Sequence, residues 1–462
     1  MIELPVDKSI AQRCAILGLD FNKDTIGEDI KSTLKAAKEF SESNEKIVLD
    51  LGNSGTGMRL LTGYIAGTGK ECILKGDASL SSRPMDRIAD PLNSMGANIR
   101  LRADRYAPID ISKSSLKDNF EFTLNIPSAQ IKSCMLLAAL TSQSKIEITE
   151  IIPSRDHTER ILEECGADIT RKENKIIFDG RKKIQKKFID IPTDFSSAAY
   201  LLAANLLTKK SIILENVGVN PTRIAFLSTL EEMGATVSLK NKSSKSNEPR
   251  ADIMVNCEQE LKGVEIYGDK IPNLIDEIPL IGTLAMFATG KTTIRDAKEL
   301  RHKESDRISL LLSNIKKFNP NTTINEYDDG FDIIPELNES NSPVEIETQG
   351  DHRIAMSFMI ASLKDKKKIY IDDKRCVETS FPNFLKRICK TSCLRFNCSS
   401  VCTIQSSIIK DIIVINMVVV ITTPTTVMNT IWYISVKLII KLDLENLQSF
   451  QLQQKIQTLV DL

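Results

Sequence analysis

A cluster of small or polar residues followed by a long apolar run recurs six times along this chain of 462 residues. Ser, Asp and Asn favour the N-cap of a helix, and the runs behind the clusters are too apolar for an exposed helix face. The pattern therefore predicts six buried helices, and a repeat of this kind excludes a single small module. The clusters are Asp7-Lys8-Ser9, Asn53-Ser54-Gly55-Thr56, Pro127-Ser128-Ala129-Gln130, Asp194-Phe195-Ser196-Ser197, Asp276-Glu277 and Asp351-His352-Arg353.

A second repeated pattern is an amphipathic helix that ends in Gly-Ala and leads into a strand. It occurs at 92–99, 162–169 and 230–237, and glycine at this place is typical of a helix C-terminus. Together the two patterns predict an α/β fold of about six βαβαββ repeats, each with one buried and one outer helix. Such repeats must share cores, because none can bury its apolar faces alone. Three repeats per domain would give two similar globular halves.

The charge of the chain points to a local anion site. Lys plus Arg and Asp plus Glu both total 61, so no global field draws the protein to nucleic acid. Parallel buried helices would bring their N-termini to the face between the halves, and each N-terminus carries about half a positive charge and free N–H groups. Lys, Arg, Asn and Gln lie at the same ends. We therefore predict an anion-binding cleft, although for any single cluster an ordinary helix cap is the favoured interpretation.

The charged residues also form dense clusters at 81–87, 154–160, 301–307 and 350–353, and all three histidines lie in them. For a histidine in such a cluster, a satisfied ion-pair network is as good an interpretation as catalysis. Several Arg and Lys side chains without an HExxH or Cys/His ligand set favour phosphate and carboxylate binding over metal binding. We therefore expect no metal and no cofactor.

The composition changes after Ile388. The segment 412–436 has no charge and is long enough to cross a membrane, but Asn416, Pro424 and Asn429 interrupt it. A membrane anchor stays one interpretation; we expect instead an appended tail at 389–462, outside the catalytic fold. Six cysteines scattered through residues 14–376 predict reduced core side chains, and four more in the tail match no familiar zinc spacing. The N-terminus lacks the features of a secretory signal, so we expect a cytoplasmic protein.

Seven segments, in order and over residues 4–388, resemble the 5-enolpyruvylshikimate-3-phosphate synthase family. The resemblance implies a two-domain inside-out α/β barrel and a transferase of the shikimate pathway to chorismate and aromatic amino acids. The implied reaction moves the enolpyruvyl (1-carboxyvinyl) group of phosphoenolpyruvate to the 5-hydroxyl of shikimate 3-phosphate and releases phosphate. The segments are LGNSGTGMRLLTG, GDASLSSRPMDRI, PSAQIKSCMLLAAL, SRDHTER, DEIPLIGTLAMFATG, LRHKESDRI and GDHRIAMSF.

The resemblance also implies roles for individual residues. Asp276 would accept the proton of the 5-hydroxyl, and Glu304 with Lys303 would protonate and deprotonate the methylene carbon; addition and elimination need such groups on opposite sides of a cleft. The implied catalytic residues are Asp276, Glu304, Lys303 and Lys8. Those implied to bind shikimate 3-phosphate are Lys8, Ser9, Arg13, Ser128, Gln130, Asp276 and Lys303. Those implied to bind phosphoenolpyruvate are Lys8, Asn53, Gly55, Thr56, Arg83, Gln130, Arg307, His352 and Arg353.

The predicted domains are 1–7 with 192–388, and 8–191. Two crossing strands, one near Pro192 and one near the N-terminal turn, would act as a hinge, and closure would expel water from the site. The segment 243–250 predicts an exposed loop between two strands. We expect a monomer that binds small molecules and contacts a membrane only through 412–436.

Three departures from the family pattern keep other functions open. Val6 replaces the usual Gly of the first turn, where a β-branched residue resists positive φ. Only 45 positions separate Lys8 from Asn53, so the first repeat lacks a strand pair, and Thr379 stands where some members have a phosphate-contacting Lys. A non-catalytic, anion-binding scaffold is one alternative. The other is an enolpyruvyl transferase acting on a UDP-sugar, but that relative carries a cysteine in the loop before its Arg-Pro pair, and 76–83 has no thiol.

Overall fold

The six buried helices predicted from the repeated clusters all form. In a computed structural model of the chain, residues 3–23, 25–336, 342–365 and 368–390 are described. The predicted helices are α1, α3, α5, α7, α10 and α12. The helices are α1 Lys8–Leu17, α2 Glu28–Glu42, α3 Gly55–Thr68, α4 Asp86–Ser94, α5 Ala129–Ser142, α6 His157–Glu164, α7 Phe195–Thr208, α8 Ala225–Glu232, α9 Lys270–Leu274, α10 Ile278–Ala285, α11 Arg307–Phe318, α12 His352–Asp365 and α13 Phe384–Lys390.

Strands alternate with these helices and confirm the α/β class. They are β1 Ile47–Asp50, β2 Cys72–Lys75, β3 Asn98–Arg102, β4 Tyr106–Ser112, β5 Phe120–Leu124, β6 Lys145–Glu150, β7 Asp168–Lys172, β8 Lys175–Asp179, β9 Ile213–Gly218, β10 Thr236–Lys245, β11 Glu248–Asn256, β12 Glu265–Ile266, β13 Thr292–Ile294, β14 Thr323–Tyr327, β15 Gly330–Ile334, β16 Val344–Ile346 and β17 Ile369–Ile371. Short 3₁₀ turns lie at Leu80–Ser82, Lys298–His302 and Arg375–Thr379.

Three of the repeats are complete βαβαββ units. Their sheets have the strand orders β1-β2-β4-β3, β5-β6-β8-β7 and β12-β13-β15-β14. In each, the first two strands are parallel and flank a buried helix, and the closing hairpin adds antiparallel. A fourth repeat pairs β9, β11 and β10, with Thr193 bridging in parallel to Val217.

The first and last repeats are shorter. The chain passes from α2 directly into β1, which confirms the missing strand pair of the first repeat. The last repeat is abridged as well, which the sequence analysis did not predict. Its β16 and β17 pair in parallel around α12, and among the described residues only the 3₁₀ turn Arg375–Thr379 and α13 follow.

The outer helices end as the Gly-Ala pattern predicts. Gly96 follows α4 with φ 107 and Gly234 follows α8 with φ 94. A left-handed residue of this kind terminates a helix at little cost only when it has no side chain. Gly166 follows α6 in the same way, with φ 78, and the chain enters β3, β7 and β10 after the three glycines, so the second repeated pattern is confirmed at all three places.

Buried apolar side chains form two clusters. One runs from Val6 to Ile191 and defines the first half; the other runs from Phe195 to Ile388 and defines the second half. The two crossing strands lie side by side, since Asp7 N–H donates to the carbonyl of Pro192 and Asp194 N–H to that of Pro5, both at 2.9 Å. The exact domain boundaries stay a prediction.

Val6 does not distort the first turn. It pairs with Thr193 in an antiparallel bridge and is not among the residues with positive φ. A β-branched side chain suits extended backbone. The concern that valine at this position disturbs the turn is therefore removed.

The prediction of an exposed loop at 243–250 is wrong. Strands β10 and β11 continue almost to the tip of a hairpin, and the turn is only Ser246 and Asn247, with φ 48 and 59. The polar composition of this segment suggested an exposed loop, but some of its charged side chains are buried against partners on other elements. Glu248 and Arg250 are 1% and 2% exposed. Glu248 Oε1 accepts a hydrogen bond from His157 Nδ1 at 2.8 Å, and Arg250 donates to Asp190 at 3.1 Å.

Several expectations fall partly or wholly outside the described residues. The membrane and zinc questions concern the tail beyond 390, which the structure does not describe. Across the part of the chain that is described, no helix is long and apolar enough to cross a membrane, and no group of three His, Cys, Asp or Glu side chains is arranged to hold a metal ion. The six internal cysteines are unpaired, as predicted, but Cys257 is only partly buried.

Candidate active site

The six buried helices point their N-termini at one cavity of about 810 Å³, here called the cleft. Residues of both halves line it. The arrangement confirms the predicted convergence, and it places free N–H groups and positive helix ends around a single space. The residues contributed by these helix starts include Lys8, Thr56, Gln130, Ser196, Asp276 and His352.

All but one of the residues that the resemblance singled out line this cleft. The exception is Asn53, which accepts a hydrogen bond from Arg83 at 2.6 Å and donates to Asp77 at 2.8 Å. It therefore lies one contact behind the lining. The residues brought together are Lys8, Ser9, Arg13, Gly55, Thr56, Arg83, Ser128, Gln130, Asp276, Lys303, Glu304, Arg307, His352 and Arg353.

Two buried arginines of the first half are bonded only to neutral groups. Arg13 donates to Thr158 Oγ1 at 2.6 Å, Ser133 Oγ at 2.8 Å and the carbonyl of Ser9 at 2.7 Å. Arg59 donates to Gln130 Oε1 at 2.8 Å and to a backbone carbonyl. Burial lowers the pKa of both guanidinium groups to about 10. They stay charged at neutral pH with no hydrogen-bonded carboxylate among the described residues, and the more distant Glu159 for Arg13 and Glu304 for Arg59 offset only part of the burial. An anion in the cleft would therefore stabilise them further.

Arg83 and the start of α3 together form a second positively charged element of the cleft. Arg83 Nη2 donates to Asn53 and to Ser79 Oγ at 3.1 Å. A Cβ on Gly55 would lie only 3.0 Å from Arg83 Nη1, so the missing side chain lets the guanidinium approach the helix. Ser54 occupies the N-cap position of α3, but its side chain bonds none of the helix N–H groups. Its hydroxyl accepts a hydrogen bond from the Gln12 side chain instead. The first N–H groups of α3 therefore remain available beside Arg83.

Lys8 has two partners that the sequence analysis did not foresee. Its Nζ lies 2.8 Å from Asp29 Oδ2 and donates to Ser380 Oγ at 2.7 Å. Thr379, which stands where some family members have a lysine, makes a local contact: its hydroxyl donates to the carbonyl oxygen of Cys376 at 2.7 Å. The next residue, Ser380, faces Lys8 and accepts its hydrogen bond. This end of the site therefore has a hydroxyl, and position 379 contributes no second lysine.

Asp276 lies among guanidinium groups. Its carboxylate is 2.7 Å from Arg155 Nη2, 3.6 Å from Arg353 Nε and 3.7 Å from Arg307 Nη1. Burial alone would raise the pKa of this carboxyl, but the charges of Arg353 and Arg155 outweigh it and hold the pKa well below its usual range. Asp276 is therefore ionised at neutral pH.

Glu304 is also held ionised, and it joins the two halves. Arg307 Nη2 donates to Glu304 at 2.5 Å and Arg83 Nη1 lies 3.7 Å away across the cleft. Burial opposes ionisation, but these two arginines keep the pKa of Glu304 well below its usual range. Arg307 is anchored in turn by Asp351, at 2.8 Å from its Nε.

The pKa values of Lys303 and His352 are lowered as well, but for these two groups the shift favours the neutral form. Burial lowers the pKa of Lys303, although the nearby Asp276 carboxylate limits the effect. Burial and the charge of Lys8 hold the pKa of His352 well below its usual range. His352 is therefore neutral at physiological pH, and its buried Nε2 has no hydrogen-bond partner in the structure.

Arg155 and Arg223 are two of the cleft arginines that the predicted site residues did not include. Arg155 contacts Asp276, and Arg223 donates to Glu277 at 2.7 and 3.1 Å. The repeat holds a signal that could have found them. Arg83, Arg155 and Arg223 each stand two or three residues before an outer helix, namely α4, α6 and α8. Alignment of the repeats on their outer helices would have marked all three.

A six-repeat α/β fold whose cleft combines arginines, a lysine and two ionised carboxylates defines a transferase for anionic substrates. The family model described as EPSP synthase (3-phosphoshikimate 1-carboxyvinyltransferase) matches residues 2–388, and the chain belongs to this family.

Relatives and solved structures agree. The 3-phosphoshikimate 1-carboxyvinyltransferase of Petrotoga mobilis is 40% identical over 412 residues, covering 83% of this chain and 94% of that protein. The enzyme of the same name from Crocosphaera subtropica is 39% identical over 428 residues, covering 85% and 93%. A solved EPSP synthase from Acinetobacter baumannii superposes with a TM-score of 0.70 at 34% identity, covering 84% of this chain and 95% of that one.

Proposed function

We propose that this protein transfers the enolpyruvyl group of phosphoenolpyruvate to the 5-hydroxyl of shikimate 3-phosphate and releases phosphate. The observation that carries the proposal is that Lys8, Arg83, Asp276 and Arg353, far apart in the chain, line one cleft of about 810 Å³. Both substrates carry a phosphate and a carboxylate. A closed site must therefore balance four anionic groups, and guanidinium groups do so with paired hydrogen bonds.

In this proposal the cations of the two halves share the substrates. Arg13 and Ser9, with Ser128 and Gln130, would bind shikimate 3-phosphate at the starts of α1 and α5. Arg83, with the uncapped start of α3, would bind phosphoenolpyruvate together with Arg307 and Arg353. The short separation of these groups supports side-by-side binding, which brings the reacting atoms into contact and removes much of the entropic barrier.

The carboxylates and Lys303 would move the protons. During addition, Asp276 takes the proton of the 5-hydroxyl as the oxygen bonds to C2 of the enol, while C3 receives a proton from the Glu304 and Lys303 pair. During elimination, C3 returns a proton to that pair, the bond from C2 to the phosphate oxygen breaks, and phosphate leaves with the proton that Asp276 had taken from the 5-hydroxyl. The neutral imidazole of His352 would serve as a hydrogen-bond partner and not as a charge.

Substrate binding itself would prepare these groups. In the empty site, arginines hold the pKa values of Asp276 and Glu304 well below their usual range, which makes both carboxylates weak bases. Phosphate and carboxylate groups of the substrates would compete for the same arginines. The pKa values of both carboxylates would then rise toward the range in which they accept protons efficiently.

The geometry of the cleft also supports proposals about the oligomeric state and about closure of the two halves. Residues of one chain complete the cleft, which supports a monomer as the active unit. The crossing strands at Pro5–Asp7 and Pro192–Asp194 give a hinge for closure, and closure would exclude water and strengthen the charge contacts. A cytoplasmic location and the individual residue roles stay predictions.

A phosphate-release assay tests the proposal. The purified chain is mixed with shikimate 3-phosphate and phosphoenolpyruvate, and with each substrate alone as the control. We expect release only with both substrates, together with one enolpyruvyl product of the matching mass. Binding of both without turnover would favour the scaffold alternative. Release with UDP-N-acetylglucosamine in place of shikimate 3-phosphate would favour the UDP-sugar alternative.

A further inference from the structure

Two charged segments face each other across the cleft and run in opposite directions. One precedes and begins α4 and carries Arg83 and Arg87; the other precedes α11 and carries Glu299 and Glu304. Arg83 is paired with Glu304, and Arg87, four residues later, is paired with Glu299, five residues before Glu304. The two segments are therefore joined by two ion pairs, like the rungs of an antiparallel ladder.

The two pairs differ in burial and in geometry. In the inner pair, Arg83 and Glu304 are 6% and 20% exposed and their closest atoms are 3.7 Å apart. In the outer pair, Arg87 and Glu299 are 19% and 39% exposed. Arg87 donates to both carboxylate oxygens, at 2.9 and 3.3 Å. The outer pair thus has the bidentate geometry that makes an arginine–carboxylate contact strong and directional.

The charge environment supports an ionised outer pair. Burial would raise the pKa of Glu299, but the hydrogen bonds and charge of Arg87 outweigh burial and lower it. Arg87 in turn lies near Arg59 and adds to the positive potential that lowers the pKa of that residue. Removal of either member of the pair would leave the other uncompensated at the edge of the cleft.

Only the inner pair uses groups that the reaction needs. If Arg83 binds phosphoenolpyruvate, it must share or give up its contact with Glu304 at the moment the substrate enters. The inner tie between the segments then weakens. Among the described residues the outer pair forms no hydrogen bond or ion pair with the proposed reacting groups, although the charge of Glu299 acts on the nearby Lys303, so the pair can persist while the inner contacts are exchanged.

We propose that Arg87 and Glu299 are positioning residues that hold Lys303 and Glu304 in register with the phosphoenolpyruvate-binding arginine of the opposite half. The inference rests on the proposed function. Glu299 lies in the 3₁₀ turn Lys298–His302, which leads directly into Lys303 and Glu304. A fixed distance between Arg87 and Glu299 therefore limits how far these two groups can move from the substrate.

Kinetics of charge variants test the pair. Arg87→Ala and Glu299→Ala should each lower kcat about tenfold, as expected for loss of about 1.4 kcal/mol of transition-state stabilisation, with a smaller change in the KM for phosphoenolpyruvate. The double exchange Arg87→Glu with Glu299→Arg should recover most of this loss. Lys46→Ala is the control, because its pair with Asp110 spans the same 2.9 Å and has a carboxylate of similar exposure but lies within the first half. Single variants without effect, or an exchanged variant worse than both, would overturn the proposal.

A second measurement separates this inference from the proposed function. Small-angle X-ray scattering of the substrate-free chain reports the opening of the halves without any turnover. The single variants should show a larger radius of gyration than the wild-type chain, and the exchanged variant should return to the wild-type value. If the wild-type chain releases no phosphate, the proposed function is wrong. The scattering data still test whether the Arg87–Glu299 pair holds the two halves together. Equal radii for all four proteins would overturn that tie.

Discussion

The two halves of the cleft are built from the same repeat, yet their arginines are balanced in different ways. In the first half, Arg13 and Arg59 donate to hydroxyl, amide and carbonyl groups, and burial lowers their pKa values. In the second half, Arg223 and Arg307 donate to buried carboxylates. Burial opposes the charge there too, but Glu277 for Arg223 and Asp351 for Arg307 raise the pKa values.

The difference shows how one repeat can serve two tasks. Cations that lack a counter-charge in the empty protein are stabilised when an anion arrives, which suits the first half to binding. Cations that are already paired form a rigid network, which suits the second half to fixing the ionisation of Asp276 and Glu304. In the proposed reaction, Asp276 and Glu304 of the second half therefore transfer protons, while cations of both halves bind the substrates.

The free energy of unfolding should show the largest difference between arginines of the two halves. Arg307→Met leaves Asp351, which is fully buried, without its cation. We expect a loss of about 3–5 kcal/mol in the free energy of unfolding. Arg13→Met should cost no more than about 1 kcal/mol, because Ser133 and Thr158 still bond each other at 2.6 Å. Urea titrations without substrates measure both, and equal losses would contradict the distinction.

Steady-state kinetics should separate the halves next. Asp276→Ala should lower kcat by about 10²-fold or more with a modest change in KM, because it removes a proton acceptor. Arg13→Met should act mainly on the KM for shikimate 3-phosphate. Asp328→Ala is the control, since that carboxylate is exposed and pairs only with surface cations. An unchanged kcat would remove Asp276 from the mechanism.

Acid stability should depend on the second half. The lowered pKa values of Asp276 and Glu304 mean that their contribution to stability is fully present above about pH 4, the range of the unfolded carboxyls, and is lost as pH falls further. The melting temperature should therefore fall below about pH 4, and less steeply in Asp276→Asn with Glu304→Gln. Thermal unfolding from pH 7 to pH 3 measures the slope. Identical slopes would show that other carboxylates dominate.

The smallest effect concerns the alkaline side of the activity profile. Because burial lowers the pKa of Lys303, its protonated form is lost as pH rises through a value below the usual 10.4. The alkaline decline of kcat should therefore begin below that value. Lys303→Arg, which stays protonated, should move the decline to higher pH at a lower maximal rate. A decline at the same pH in both proteins would assign it to another group.

The repeated helix starts and the Gly-Ala helix ends were sufficient to predict the elements and the convergent cleft, because both signals are local. Contacts between distant segments could not be predicted in this way. Arg223 and Glu248 look like surface residues in sequence and become buried only through partners on other elements. Ser54 shows the same limit in reverse, since a good N-cap residue bonds Gln12 and leaves its helix uncapped.

The crossing strands divide the chain into two halves that are completed at different times during synthesis. The first half is one continuous stretch whose apolar core can close before later residues leave the ribosome. The cleft, in contrast, needs α12 and Ser380 near the end of the described chain. A nascent or truncated polypeptide therefore has a folded body but no working site, and premature termination before 350 would yield an inert protein.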